Sequence, residues 1–368
     1  MCLFIALPAH AGAEAPRDDQ AALELFRQAA EEPSRGYLFS PKAETLNSKT
    51  PIPQYAERVR LFKLLLLDAK SPSTRKQPRL VEKDLLAAAG FLVQLSEQKS
   101  GVLATAFVQQ LCLREAYPVL SEVLRGPGSS PAFLSEISAR LARVGQNQDF
   151  LQAAFREEGS IAKGSLREGV NPEMEARQRA NLPLWKRLAS RRTADSQYFP
   201  WVYKRFDAET DERTRALISA ARDNDPKRFV DFRAKREEEI ASRRRARESR
   251  GLWAAFQAGL KGGESSIVGE ELVDTMLSLT TPRYEKMIQP YHAFLCELNV
   301  LRAGLAVKRY LRARKRLPED LDWLVPAFLS AVPLDSFNAF KPLRYVRTGK
   351  KFSVYSLGPD GREIVFTD

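Results

Sequence analysis

Two histidines, three cysteines and a few paired carboxylates are the residues of this 368-residue chain that could do chemistry. A histidine beside a serine and an aspartate, or beside a cysteine, would make a nucleophile with its base, and grouped His and Cys would hold zinc. His10 lies in the N-terminal segment and His292 stands alone in a helical pattern, so neither arrangement is expected. A Gly-x-x-x-x-Gly-Lys-Ser/Thr phosphate loop and a Gly-x-Gly-x-x-Gly after a strand are both missing. Glu270-Glu271 and Glu237 to Glu239 are paired carboxylates. Acid–base work needs an enclosing pocket, and on polar helices such pairs read as solvated faces. We therefore expect no catalytic residues, no cofactor and no enzyme.

The charge balance speaks to partners. The formal net charge is +12, with 44% hydrophobic and 28% charged residues. That composition fits a globular chain and is too polar for a multi-span membrane protein. Residues 227–250 carry ten Lys or Arg against five Asp or Glu. Arg243, Arg244, Arg245 and Arg247 are the polyanion-binding candidates there, joined by Arg312, Arg314, Lys315 and Arg316 at the end of the last long helix. Cations at a helix C-terminus also gain about 0.3–1 kcal/mol each from the macrodipole. Anionic lipid or cell-wall polymer is the polyanion considered first. Nucleic acid is disfavoured, because acidic residues interrupt the run and no recognition motif is visible.

The pattern that must position these residues is mainly α. Residues 18–32 have helical spacing, and prolines at 33, 41, 51 and 53 mark a loop. A helix follows from Gln54 with Val59, Phe62, Leu65 and Leu66 as its buried stripe. Residues 71–78 break it. The stretch from Leu80 to Leu124 is strongly helical, with Phe107 in its apolar pattern and Pro118 expected to kink or restart it. Phe133, Ile137 and Leu141 open another amphipathic helix, and antiparallel helix pairs are the natural packing. Gly159, Gly164, Gly169 and Pro172 predict a linker or exposed loop over 159–175. Trp185, Trp201, Tyr203 and Phe206 are packing anchors in the charged helical region 176–281, with a flexible break from Gly259 to Gly263. The last long helix starts near Pro282. The resulting division is 1–13, 14–158, 159–175, 176–281 and 282–368.

The tail is the most specific stretch. It runs Leu317-Pro318-Glu319-Asp320-Leu321-Asp322-Trp323-Leu324-Val325-Pro326, then Val332-Pro333-Leu334-Asp335-Ser336-Phe337. Lys341-Pro342-Leu343-Arg344-Tyr345 follows, and Gly358-Pro359-Asp360-Gly361 forms a turn. These signals predict a short helix over Pro318 to Val325, a hairpin through Thr348-Gly349-Lys350, and a third strand at Ile364-Val365-Phe366. The expected fold is an antiparallel helical body followed by a small α+β module, a long helix plus a three-stranded antiparallel meander. This tail resembles the C-terminal globular part of type II secretion pseudopilins. It is even more similar to the tails of uncharacterised bacterial envelope proteins that carry this module after a long helical region. Three departures stand out. No membrane-spanning helix directly precedes the module, the Asp-Pro step is Asp335-Ser336, and the acidic Gly-rich ending is replaced. The resemblance raises calcium, for which Asp360, Glu363 and Asp368 are a thin supply against six to eight oxygen ligands. No metal is expected.

The N-terminus, Met1 to Ala13, has a short apolar run ending in small residues at Ala9-His10-Ala11 and Ala11-Gly12-Ala13. It fits the end of a signal peptide, though no Lys or Arg precedes the run. It is far below the roughly 20 residues that span a bilayer. Cys112 and Cys296 fall in apolar helical patterns, and the sequence leaves open whether they pair. Together these observations lead to an exported, periplasmic or envelope-associated, non-enzymatic protein. Its body and tail would act as an interaction or docking module for a protein partner, linked to secretion or pilus-like machinery. The alternative is a cytoplasmic helical protein binding polyanion or nucleic acid through residues 227–250.

Overall fold

The computed structural model describes residues 17–31, 55–97, 103–126, 128–144, 149–169, 198–249, 273 and 284–368. The body opens with α1 (Arg17–Glu31), α2 (Tyr55–Lys70), the single turn α3 (Pro72–Arg75) and α4 (Pro78–Ser96). It continues through α5 (Leu103–Arg125), α6 (Pro131–Val144) and α7 (Phe150–Gly169). Two charged helices, α8 (Tyr198–Arg222) and α9 (Pro226–Ser249), precede the long α10 (Ile288–Arg314). Among the described residues, no helix is long and apolar enough to cross a membrane.

Local signals start several of these helices. Pro72 and Pro78 occupy first-turn positions, where a missing N–H costs nothing. The Ser71 hydroxyl accepts from the Thr74 amide at 3.2 Å and closes the start of α3. α4 is apolar nearly all round because α1, α2, α5 and α6 surround it. Gly90 sits where α1 crosses, and a Cβ there would collide with the Ala30 carbonyl.

α1 is also held by charge. Arg27, only 4% exposed, donates through Nε to Asp84 Oδ1 at 2.7 Å and through Nη2 to Asp68 Oδ2 at 2.9 Å. Glu24 pairs with Arg27 at 3.3 Å and with Lys83 at 2.9 Å. Asp84 is fully buried, and its Oδ2 has no hydrogen-bond partner. Burial pushes its carboxyl up to about 6, against the pull of Arg27.

The tail is built on α10, which packs against α5 and α6 on one side and the sheet on the other. β3 (Arg344–Thr348), β4 (Lys351–Ser356) and β5 (Ile364–Thr367) form the expected antiparallel meander, with Val346 opposite Ser353 and Tyr355 opposite Val365. Phe352, Val354 and Phe366 are buried. Gly304 lets the Phe366 ring lie directly on the α10 backbone, since a Cβ there would overlap the ring. A second, two-stranded pairing joins β1 (Leu334–Asp335) to β2 (Lys341–Pro342), which the sequence did not signal.

Four local expectations change. Pro118 lies inside one continuous helix, because Val119, Leu120 and Leu124 beyond it are buried and keep the segment packed. α7 continues through Gly159 and Gly164 to Gly169, where the glycines predict a loop. A Cβ on Gly159 would stand 2.7 Å from Thr214 Oγ1, so this glycine allows close approach of α8 rather than breaking α7. The short helix expected over 318–325 is only a 3-10 turn at Asp322–Leu324. The Asp320 carboxylate accepts from the amides of Asp322 (2.9 Å) and Trp323 (3.3 Å), capping the start of the turn, and Pro326 has no N–H to extend it. Phe107 is 51% exposed, whereas Gln109 and Thr105 on the same helix are buried. Phe206 is fully buried as expected. The loop at 33–53, Trp185 and the Gly259–Gly263 break lie outside the described residues, as does the Trp201 side chain.

Candidate functional site

The basic end of α10 divides into clamps and solvent-exposed cations. Lys308, 7% exposed, donates to the Arg125 carbonyl at 2.8 Å and to the Leu124 carbonyl, and pairs with Asp368 at 2.9 Å. Those carbonyls are at the C-terminal end of α5, left without partners by the helix itself. Arg309 donates to Ser138 Oγ at 3.0 Å and lies 5.6 Å from the Phe328 ring. Arg312 donates to the Ser129 carbonyl at 2.7 Å. These three side chains tie α10 to the α5–α6 corner. Arg314 and Lys315 face solvent, and Lys315 closes the helix in a left-handed conformation (φ 58°). Arg316 sits 5.3 Å from the Trp323 ring. Lys308→Met is expected to cost about 2 kcal/mol, because both carbonyls and Asp368 lose their partner. Arg314→Gln should change stability by about 0.5 kcal/mol at most. Urea unfolding of the two variants, followed in parallel, checks this.

The first half of the basic segment 227–250 is similarly committed. Arg228 pairs with Asp223 at 3.0 Å, and Arg233 with buried Glu285 at 2.8 Å. Arg236 contacts Glu239 at 2.7 Å and also Glu209 and Glu212 of α8. Of the polyanion candidates on α9, Arg243 is half-buried and Arg245 exposed. The side chains of Arg244 and Arg247 lie outside the described residues, as does Glu270-Glu271. Glu237 and Glu238 are exposed.

The residues that first raised chemistry have structural partners. His292 is buried and hydrogen-bonds the Ala221 carbonyl through Nε2 at 2.6 Å, at the end of α8. Burial lowers its pKa, keeping the ring neutral and Nε2 the donor. Cys112 and Cys296 are both free and buried, and burial raises both thiols. Cys296 lies 3.3 Å from Ser336 Oγ and 3.6 Å from Asp335 Oδ1. Asp335 is fully buried and gathers the tail around itself. Its Oδ1 accepts from the Phe337 amide (2.9 Å) and Ser356 Oγ (2.8 Å), and its Oδ2 from the Leu357 amide (3.0 Å). Ser356 Oγ in turn accepts from the Gly358 amide at 3.1 Å. The serine after Asp335 thus faces α10 through Cys296.

Of the calcium candidates, Asp368 pairs with Lys308 and Glu363 is exposed, while the Asp360 side chain lies outside the described residues. Among the described residues, no three His, Cys, Asp or Glu side chains group closely enough to hold a metal ion.

What remains open to a partner is the β3–β4 hairpin with the neighbouring strand β2, a feature the sequence did not signal. Lys341, Arg344, Arg347, Lys350 and Lys351 are all exposed. No Asp or Glu occurs from 336 to 359. Among the described residues, none of these five cations has a carboxylate in ion-pair contact. The body behaves differently, because its exposed cations are commonly paired, as in Arg75–Glu122 and Arg143–Glu97. Residues 346–351 form an unbroken exposed run at the hairpin tip. Arg344 lies 5.9 Å from the Tyr355 ring on the same outward face. Tyr345 turns the other way and donates to the Pro318 carbonyl at 3.1 Å, fixing the strand against the segment after α10.

Comparison with family models, curated proteins and solved structures finds no match to this chain.

Proposed function

We propose that this chain is a non-catalytic docking protein of the bacterial cell envelope, exported through its N-terminal segment. The helical body is the scaffold, and the pseudopilin-like tail is the part that meets a partner in the envelope. One observation carries this reading. The meander's inner face packs on α10, while the β3–β4 hairpin and the neighbouring β2 expose five cations without a carboxylate partner among the described residues. Two further features support it. The Asp335 centre and the Lys308 clamp fix the tail to the body, so the hairpin is presented rigidly. His292, Cys296 and Asp335 are committed to internal hydrogen bonds. A link to secretion or pilus-like machinery follows from the resemblance of residues 317–361. The test is fractionation of cells producing the chain with an epitope tag after Asp368. Recovery of a processed product with the envelope is the expected result; an unprocessed product in the cytoplasm overturns the proposal.

A further inference from the structure

We propose that the β3–β4 hairpin is a docking tip for an anionic phospholipid surface. This deepens the docking reading above and rests on it. Val346, Arg347, Thr348, Gly349, Lys350 and Lys351 are consecutive and all exposed. Gly349 takes φ +64°, as the turn demands, and a Cβ on it would meet nothing within 4 Å. The tip is therefore a convex ridge standing clear of the body. A small anion needs donors that converge on it, and a ridge offers none that do.

The occupant must be large and negative, and of the polyanions weighed above we commit to the anionic membrane; the main rival is an acidic protein. A stable protein interface takes roughly 20–30 residues from each side, packed with shape complementarity. The tip supplies six residues, three of them with long, flexible charged side chains. A bilayer imposes no such demand, because its headgroups move to meet the charges. The cations of the hairpin are also poised for it: Arg344, Arg347, Lys350 and Lys351 have no described carboxylate in ion-pair contact, so approach to an anionic surface breaks no ion pair among the described residues. Val346 (46% exposed) at the tip adds apolar contact at headgroup depth. The apolar contribution is small, so attraction is mainly electrostatic and falls steeply with salt.

The experiment uses the purified full chain and co-sedimentation with vesicles. One set contains equal parts phosphatidylglycerol and phosphatidylcholine, and the other phosphatidylcholine alone. Binding is expected only to the first set, at about 50 mM NaCl, and should be lost by about 500 mM, where screening shortens to a few ångströms. Each cation near such a surface contributes about fivefold, so Arg347→Gln/Lys350→Gln/Lys351→Gln should weaken binding about a hundredfold. The charge-preserving Lys350→Arg/Lys351→Arg variant should bind like the parent, which separates charge from folding. The proposal is overturned by equal binding to both vesicle sets, by no binding, or by a triple variant that binds like the parent. If vesicle binding is absent while the chain still fractionates with the envelope, the docking reading stands and the lipid assignment falls.

Discussion

Asp335→Ala is expected to release the C-terminal meander from α10, at a cost of about 3–5 kcal/mol. The carboxylate is fully buried and accepts from Phe337 N, Ser356 Oγ and Leu357 N, all within 3.0 Å. Hydrogen bonds to a charged group contribute about 1.5–3 kcal/mol each, and a buried donor left unpaired adds a desolvation penalty. The three donors come from the chain just after β1 and from the end of β4, so one deletion loosens both ends of the module. Asp335→Asn keeps the shape and one accepting oxygen but turns an amide N–H toward a donor, and should cost about 2 kcal/mol. Hydrogen exchange at the Leu357 amide reads the effect locally. Exchange about a hundredfold faster in Asp335→Ala is expected, with helices α2 to α6 little changed. A Leu357 amide protected as in the parent would show that the carboxylate does not hold the module.

The second large effect lies at the other end of the molecule. Arg27→Met should cost about 3–5 kcal/mol, because it strands Asp84 and Asp68 with no guanidinium between them. Arg27→Met/Asp84→Leu should recover much of that loss, since an apolar pair of similar volume avoids burying charge at all. A double variant no more stable than Arg27→Met would refute the buried-charge explanation. Asp84 also gives a pH signature. Its folded carboxyl is pushed up to about 6 from 3.8, burial being the main cause. Between those values the folded chain holds a proton that the unfolded chain has released. This contribution is therefore fully present below about pH 4, and stability falls as pH rises toward 6, by about 3 kcal/mol over the two-unit gap. Asp84→Asn should remove that slope. Urea midpoints of parent and variant, compared from about pH 4 to about pH 7, should diverge in this direction; parallel pH profiles would contradict it.

Much of the fold was legible because its signals are local. The stripe of Phe62, Leu65 and Leu66 is buried as its spacing predicts, and the meander follows from Arg344–Thr348, Lys351–Ser356 and the turn between them. The misses share one cause. Pro118 and Gly159 have strong local preferences that packing overruled, one by burial of the helix beyond it and the other by contact with Thr214. The short turn at 322–324 has a local cause instead: Asp320 caps its start, and Pro326 lacks the N–H that a longer helix would need. The candidate site was half visible. Arg312 and the 227–250 run attracted notice by charge, but charge in sequence says nothing of which cations already have partners. Arg236 and Lys308 are neutralised by residues far away in the chain, whereas Lys350 and Lys351 have no such partner among the described residues.

By itself the sequence determined the mainly helical character, the order of helices and the antiparallel meander at the C-terminus, because periodicity and turn chemistry act over a few residues. Only the tertiary structure decided what individual polar residues do. Arg27, Lys308, His292 and Asp335 each meet partners from distant segments, and those meetings depend on how helices pack rather than on spacing along the chain. The same packing buries Phe352, Val354 and Phe366 against α10 and leaves the cations of the hairpin exposed.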